Sequence, residues 1–344
     1  MASRFTATLG LLLVTAAAFA QDPSADEAKL LGGIRQVTRS FPRAGEGYFS
    51  PDGTQIVYQA YPLGYPFYQI YTQPLEKFEP RRVSPGRGRT TCAYFSPDGK
   101  QILFASAHSD PQPEVTEKFA RDEAARGGRP RYQWDFDPNM ELYVVGADGL
   151  GMTRLTDSPG YDAEGSYSHD GKQIVFTSTR DGDADIYVMN ADGSNVRQIT
   201  NVDGYDGGPF FSPDDKWILY RTDRKAKDML QVHVISTAGE HDTPLTDNTN
   251  QVNWAPYFHP NGNTIIWTGA DYSRGPMGAN FDLWTMEIDW KDGLPKPGVP
   301  RRVTTHPRAD VLPVFSPDGT KLMWTSGRTD DGSSQLYIAD WLEK

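Results

Sequence analysis

Short apolar runs of three or four residues recur along the whole chain, each bracketed by polar turn residues. Six of them are Gln55–Tyr58, Gln101–Phe104, Gln173–Phe176, Trp217–Tyr220, Thr264–Trp267 and Lys321–Trp324. They are rich in β-branched and aromatic residues and too short for helices, so they predict strands. Each follows one phrase written six times: Phe49-Ser50-Pro51-Asp52-Gly53, Phe95-Ser96-Pro97-Asp98-Gly99, Tyr167-Ser168-His169-Asp170-Gly171, Phe211-Ser212-Pro213-Asp214-Asp215, Phe258-His259-Pro260-Asn261-Gly262 and Phe315-Ser316-Pro317-Asp318-Gly319. Pro presets the turn, Asp bonds its own loop and Gly accepts positive φ. The phrase therefore predicts a hairpin between two strands.

A third run follows in each unit, as in Asp185-Ile186-Tyr187-Val188, and a fourth in most, as in Gln198-Ile199-Thr200. The last unit ends at Trp341 with three strands only. A matching fourth, Arg35-Gln36-Val37-Thr38, stands before the first unit. The pattern predicts an all-β fold: a six-bladed β-propeller of four-stranded blades, its N-terminal strand closing the last blade. Closure removes the exposed edges of an open array.

The succession strand, Ser-Pro-Asp-Gly, strand, Asp-Ile-Tyr-Val-Met-Asn-Ala-Asp-Gly, Leu/Ile-Thr is best seen at residues 160–200. It resembles the WD40-like (PD40) repeat of TolB-like propellers, over roughly residues 33–342. No unit ends in Trp-Asp after its third strand, so the eukaryotic WD40 repeat is not matched. The resemblance implies a noncatalytic scaffold that binds a protein or ligand of the cell envelope. TolB carries an α/β domain before its propeller. Here only about a dozen residues separate the expected cleavage site from the first strand, so that domain's partner contacts are not carried over. TolB-like propellers also resemble oligogalacturonate lyases, which use a His-rich metal site. The alternative implied is thus a carbohydrate-active lyase or hydrolase with its site at the loop-rich channel mouth. The six His of this chain do not reproduce such a set, and no Gly-x-Ser-x-Gly elbow occurs.

Residues 1–20 read as a secretion signal, with Arg4, an apolar core from Leu9 to Phe19 and the small-x-small end Ala18-Phe19-Ala20. Residues 21–32 read as a linker and 33–344 as the propeller. The mature protein is expected to be periplasmic or secreted, monomeric and without a membrane span. Its lone Cys92 forms no internal disulfide and reads as a buried thiol. The net charge of −11, or −12 without Arg4, disfavours nucleic acid and anionic membrane as partners. An envelope protein, a glycan or a small ligand fits better.

Strand order separates the two ends of the ring. The repeated turns share one face. The variable connections share the other. Successive turn positions lie 46, 72, 44, 47 and 57 residues apart. The large excess is an insertion at 108–138 in blade 2, with a helix expected over Glu114–Arg126 and then Arg131 and Trp134 among other aromatic and basic residues. Such loops on a rigid scaffold carry function.

Aligning the units on the turn Ser exposes six-fold slots. Six residues earlier stand Ala44, Thr90, Asp162, Asp206, Asn253 and Asp310. These read as loop caps bonding backbone N–H groups, with Asp162, Asp206 and Asp310 as weak candidates for a cation, Ca²⁺ by preference. Four earlier stand Glu46, Cys92, Glu164, Gly208, Ala255 and Leu312. The candidate binding set at the channel mouth is Arg43, Glu46, Arg89, Arg131, Trp134, Tyr161, Glu164, Trp254, His306 and Arg308. No cofactor and no catalytic residue is assigned. The competing reading is a set of ion pairs that hold loops in place.

Overall fold

The computed structural model describes residues 23–126 and 136–343. The expected secretion signal lies outside the described residues, as do Arg131 and Trp134. Among the described residues no helix is long and apolar enough to cross a membrane.

Six antiparallel sheets form a six-bladed β-propeller. Blade 1 runs 44–49, 55–60, 69–74 and 81–82, and every blade repeats this order from the axis outward. The innermost strands of the other five are Thr90–Phe95, Asp162–Tyr167, Asp206–Phe211, Gln251–Phe258 and Asp310–Phe315. Blade 5 departs from four strands. Its third strand, Asp282–Lys291, overruns the sheet and pairs with Leu294–Pro297 as a side ribbon. Trp290 at that ribbon packs on Trp217 of blade 4. The extra length between the third strand and Arg301–Arg302 supplies this fifth strand.

The last blade closes as the repeat count requires. Leu31–Gln36 pairs with Gln335–Trp341, and the Val37 N–H then donates to the Leu336 carbonyl at 2.8 Å. The ladder begins earlier than the sequence pattern indicates, at Leu31 rather than Arg35. Pro23–Leu30, expected as linker, is helical. Glu27 from that helix accepts from the Thr305 N–H at 2.7 Å and from Arg328 at 2.8 Å.

One hydroxyl explains why each outer run ends in Thr or Ser. The Thr200 Oγ1 accepts from the Ile186 N–H at 2.9 Å and donates to Asp185 at 2.9 Å. Ser84, Thr156, Thr246 and Thr304 accept from the equivalent N–H groups of their own blades. Thr38 does the same for Leu336 at 2.8 Å, across the two ends of the chain. In the five blades other than the closing one, outer strands are therefore only two or three residues long in the ladder, and a side chain takes over where the ladder stops.

The turn face is uniform by design of the phrase. In the Ser-Pro-Asp-Gly copies Ser Oγ donates to the Asp carboxylate, as Ser50 does to Asp52 at 2.6 Å, and accepts from the strand-two N–H. Neighbouring turns also touch. A Cβ on Gly99 would meet Pro51, and one on Gly171 would meet Pro97. At the joint between blades 3 and 4 this Pro–Gly contact is replaced on both sides at once. His169 stands for Pro and Asp215 for Gly. The His169 N–H donates to Asp215 at 2.7 Å and the ring nitrogen lies 3.1 Å away.

Replacing Thr38 by Val leaves the buried Leu336 N–H without an acceptor. The expected loss is about 1–2 kcal/mol of stability in chemical denaturation, similar to Thr200→Val in the middle of the ring. A neutral Thr38→Val beside a costly Thr200→Val would show that the closing strand is not held as described.

Candidate functional site

The inner strand of every blade carries one extra residue. Pairing shifts register between Ala163 and Ser166, and at the same place in the other five blades. The bulge residue takes a left-handed backbone: Glu46 (φ 45°), Cys92 (53°), Glu164 (57°), Gly208 (59°), Ala255 (50°) and Leu312 (58°). Only Gly208 is the residue type that adopts this conformation freely. These are the six residues of the slot four before the turn. The bulge re-aims that slot, as such irregularities do beside functional centres.

Two residues further along the same strands, Tyr48, Tyr94, Phe210 and Tyr257 meet across the axis. Their ring centroids are 5.0–6.3 Å apart, and the Tyr94 and Tyr257 hydroxyls share a hydrogen bond at 3.1 Å. Four blades supply these rings, so they plug the channel on its turn-face side.

Above the plug lies a polar cluster. Glu164 of blade 3 accepts from Arg221 at 2.8 Å, the Gly208 N–H at 2.6 Å, the Thr177 hydroxyl at 2.9 Å and the Tyr205 hydroxyl at 3.0 Å. Arg221 also donates to the Tyr205 oxygen at 2.6 Å and lies over the Tyr205 and Trp254 rings. Both the Glu164 and Arg221 side chains are about one-twentieth exposed. The pair joins blade 3 to blade 4. Glu46 enters from blade 1, its N–H donating to Thr325 of blade 6 at 2.9 Å. It is enclosed by protein yet keeps some exposure to the channel. Burial pushes the Glu46 carboxyl up to about 7, with the charge on Glu164 adding to the shift and the Cys92 thiol and Arg221 opposing it. Burial likewise raises the Cys92 thiol well above its ordinary range. Cys92 is thus a protonated, buried thiol rather than an activated nucleophile.

The structure divides the sequence-derived set. Glu46, Glu164 and Trp254 converge on this cluster. Tyr161 is buried beside it, under Phe136 from the return leg of the insertion at 5.1 Å; Phe136 also faces Tyr205 at 6.1 Å. Arg89 lies below the insertion, over the Phe67 ring at 4.5 Å and 3.3 Å from the buried Asp137. Arg43 is separate, in a surface groove of about 430 Å³ with Tyr61, Asp331 and Ser333. His306 lines another, of about 510 Å³, with Glu27, Thr305 and Arg328. Arg308 is exposed on the rim near Gly327 and Gly332. Neither groove includes Glu46 or Glu164 in its lining.

Asp162, Asp206 and Asp310 are fully buried, and each binds an arginine exactly one repeat feature away in its own blade: Arg180 at 3.1 Å, Arg224 at 2.7 Å and Arg328 at 2.7 Å. They hold side-chain guanidinium groups from the end of strand two, where the sequence pattern suggested backbone N–H groups. The acidic run at Asp181, Asp183 and Asp185 draws together within 4.8 Å, and the Gln198 amide donates to Asp181 and Asp185.

Arg221, Tyr205 and Thr177 bring side chains to the cluster that the candidate set omits. Arg221 had a signal. Its strand-two position holds Gln59, Ala105, Thr177, Thr268 and Thr325 in the other blades, so a lone guanidinium there marks a special joint.

Residues 133–289 match the family model of the TolB β-propeller domain. Over those residues the chain is similar to the TolB β-propeller domain, and its fold is a six-bladed β-propeller. Solved structures of similar fold include a putative TolB from Agrobacterium tumefaciens, with 18% identity, a TM-score of 0.60, and 90% of this chain and 96% of that one covered. TolB from Acinetobacter baumannii is similar at 18% identity and TM-score 0.55; 87% of this chain is covered, but only 63% of that protein. An oligogalacturonate lyase from Vibrio parahaemolyticus is similar at 15% identity and TM-score 0.55, with 86% and 76% covered. These likenesses concern the fold. No curated protein sequence matches the chain.

Two outcomes test the cluster in this propeller. Because Glu46 titrates near 7 when folded and near 4.5 when unfolded, stability is unaffected below about pH 4.5, falls as pH rises to 7, and stays reduced above it. Glu46→Gln should therefore raise the melting temperature at pH 8 and leave it unchanged at pH 4, by at most about 3 kcal/mol. Glu164→Gln, which leaves Arg221 buried without its charge partner, should cost about 3–5 kcal/mol, and Glu164→Gln with Arg221→Met should recover much of it in urea titrations.

Proposed function

We propose that this chain is an exported, noncatalytic binding scaffold of the cell envelope that engages a protein partner through its loop-rich face. The carrying observation is the contrast between the two ends of the ring. One end is six near-identical tight turns, tied to one another. The other gathers the 61–68 loop, the helical insertion and the 272–281 loop around the channel mouth. The TolB proteins of similar fold support the envelope assignment, and the N-terminal sequence pattern supports export.

The channel chemistry favours the same reading. Both Glu164 oxygens are taken by protein donors, so that carboxylate is a joint between blades and not a free acid or base. One observation favours the alternative of a carbohydrate-active enzyme. Glu46 keeps some exposure to the channel and burial pushes its carboxyl up to about 7, the range in which a general acid or base works. A panel of acidic and neutral oligosaccharides decides the matter. No turnover is expected, and turnover lost in Glu46→Gln with the fold intact would replace the scaffold reading by an enzymatic one. The scaffold reading itself predicts that full-length protein retains a partner from envelope extract at physiological salt, and that deleting residues 108–138 removes it. An empty eluate from the intact protein would defeat it.

A further inference from the structure

His108 follows strand two of blade 2 and is held in one orientation. Its ring lies on Tyr143, with centroids 4.4 Å apart, and the Ser109 and Tyr143 hydroxyls share a hydrogen bond at 2.8 Å. The Ser106 hydroxyl accepts from the His108 N–H at 3.2 Å, which leaves its own hydrogen for the ring Nδ1 at 2.9 Å. That bond puts the proton of the neutral imidazole on Nε2. Nε2 is thus a fixed donor, and among the described residues it meets no acceptor.

The surroundings of this half-buried ring are positive. Burial holds the His108 imidazole below its ordinary pKa, and the two charges that add to the shift are guanidinium groups: Arg87, from the loop entering blade 2, and Arg154, from that blade's outer strand. The loop presses on His108, since a Cβ on Gly88 would stand 2.8 Å from the His108 Cα. A third guanidinium, Arg82, lies against Gly86, where a Cβ would come within 2.6 Å of its central carbon. The neighbouring carboxylates are engaged. Glu141 accepts from Thr156 and from Arg154, both at 2.6 Å. Glu117 accepts from the Tyr65 hydroxyl at 2.6 Å and from the Gly88 N–H at 3.4 Å, and has Arg121 at 3.6 Å. Arg82 and Arg87 are exposed, and among the described residues neither pairs with a carboxylate. A chain of net charge −11 therefore keeps two uncompensated cations close to a fixed N–H donor.

Two such cations and an imidazole donor match a tetrahedral dianion. A guanidinium fork takes two of its oxygens, and a further oxygen remains for Nε2–H. A carboxylate has one charge and two oxygens, and would leave one guanidinium uncompensated. We infer that Arg87 and His108, flanked by Arg82, bind a tetrahedral oxyanion at the joint between blades 1 and 2, either free or as the head of a soluble phosphate ester. This goes beyond the scaffold reading above and does not rest on it.

The test follows the imidazole NMR signals of the full chain, isotope-labelled at histidine, during titration with sodium sulfate at fixed ionic strength. Sulfate keeps both charges near neutral pH, so any pH effect belongs to the protein. The His108 signal, assigned with His108→Gln, is expected to shift saturably while the other histidines stay in place. At saturation its pKa should rise by about one unit, the signature of about tenfold tighter binding to the imidazolium. Affinity should therefore grow as pH falls through the His108 titration. Inorganic phosphate and phenyl phosphate should displace sulfate from the same site. Arg87→Ala should weaken sulfate at least about fivefold, and Lys172→Ala on the turn face should leave it unchanged. Four results overturn the inference: a shift that never saturates or is shared by every histidine; a His108 pKa that does not rise; equal affinity of wild type and Arg87→Ala; or phosphatidylglycerol vesicles that move the His108 signal where sulfate and phosphate do not, which would give these cations to a lipid surface.

Discussion

The ring depends on two adjacent groups near its N-terminus finding two near its C-terminus. The Val37 N–H and the Thr38 hydroxyl engage Leu336 in the same way that five other outer runs engage their own blades. Without that pairing, blade 6 would end in an open edge and the inner strands would have no reason to converge on one axis. The helix Pro23–Leu30 reinforces the joint from outside, since Glu27 ties it to Arg328, which already holds Asp310. Closure therefore rests on backbone pairing, one hydroxyl and a short chain of charges.

Electrostatics is layered along the axis. Turn-face aspartates such as Asp52, Asp98 and Asp318 are held below the usual carboxylate range by the Ser hydroxyls and backbone N–H groups of their own turns. Buried carboxylates nearer the loop-rich face go the other way. Burial raises Asp185 and Asp282 to about 6, against the hydrogen bonds that oppose it. The two layers respond oppositely to acid. The turns lose stabilising charge as pH falls, while Glu46, Asp185 and Asp282 are relieved by protonation.

Much of this was legible in the residues. Six copies of one phrase and a displaced fourth strand specify blade number and closure, because each copy encodes a turn with fixed chemistry. The insertion helix was legible from its Pro and Gly boundaries. The slot of Glu46 and Glu164 was legible as a position but not as a conformation, because the bulge that aims it has no residue signature: only one of its six members is glycine. Arg43, His306 and Arg308 fell outside the cluster because sequence spacing gives height along a blade but not distance from the axis. Arg221 escaped notice because strand two reads as core, and its neighbours Trp217–Tyr220 are buried.

The left-handed bulge has an implication for how such rings diversify. Each blade offers a single side chain to the channel at one level, on a backbone whose shape is fixed by pairing on both flanks and not by the residue itself. Glutamate, cysteine, glycine, alanine and leucine all occupy it here. The lining can thus be respelled one codon at a time, blade by blade, while the sheets around it stay as they are.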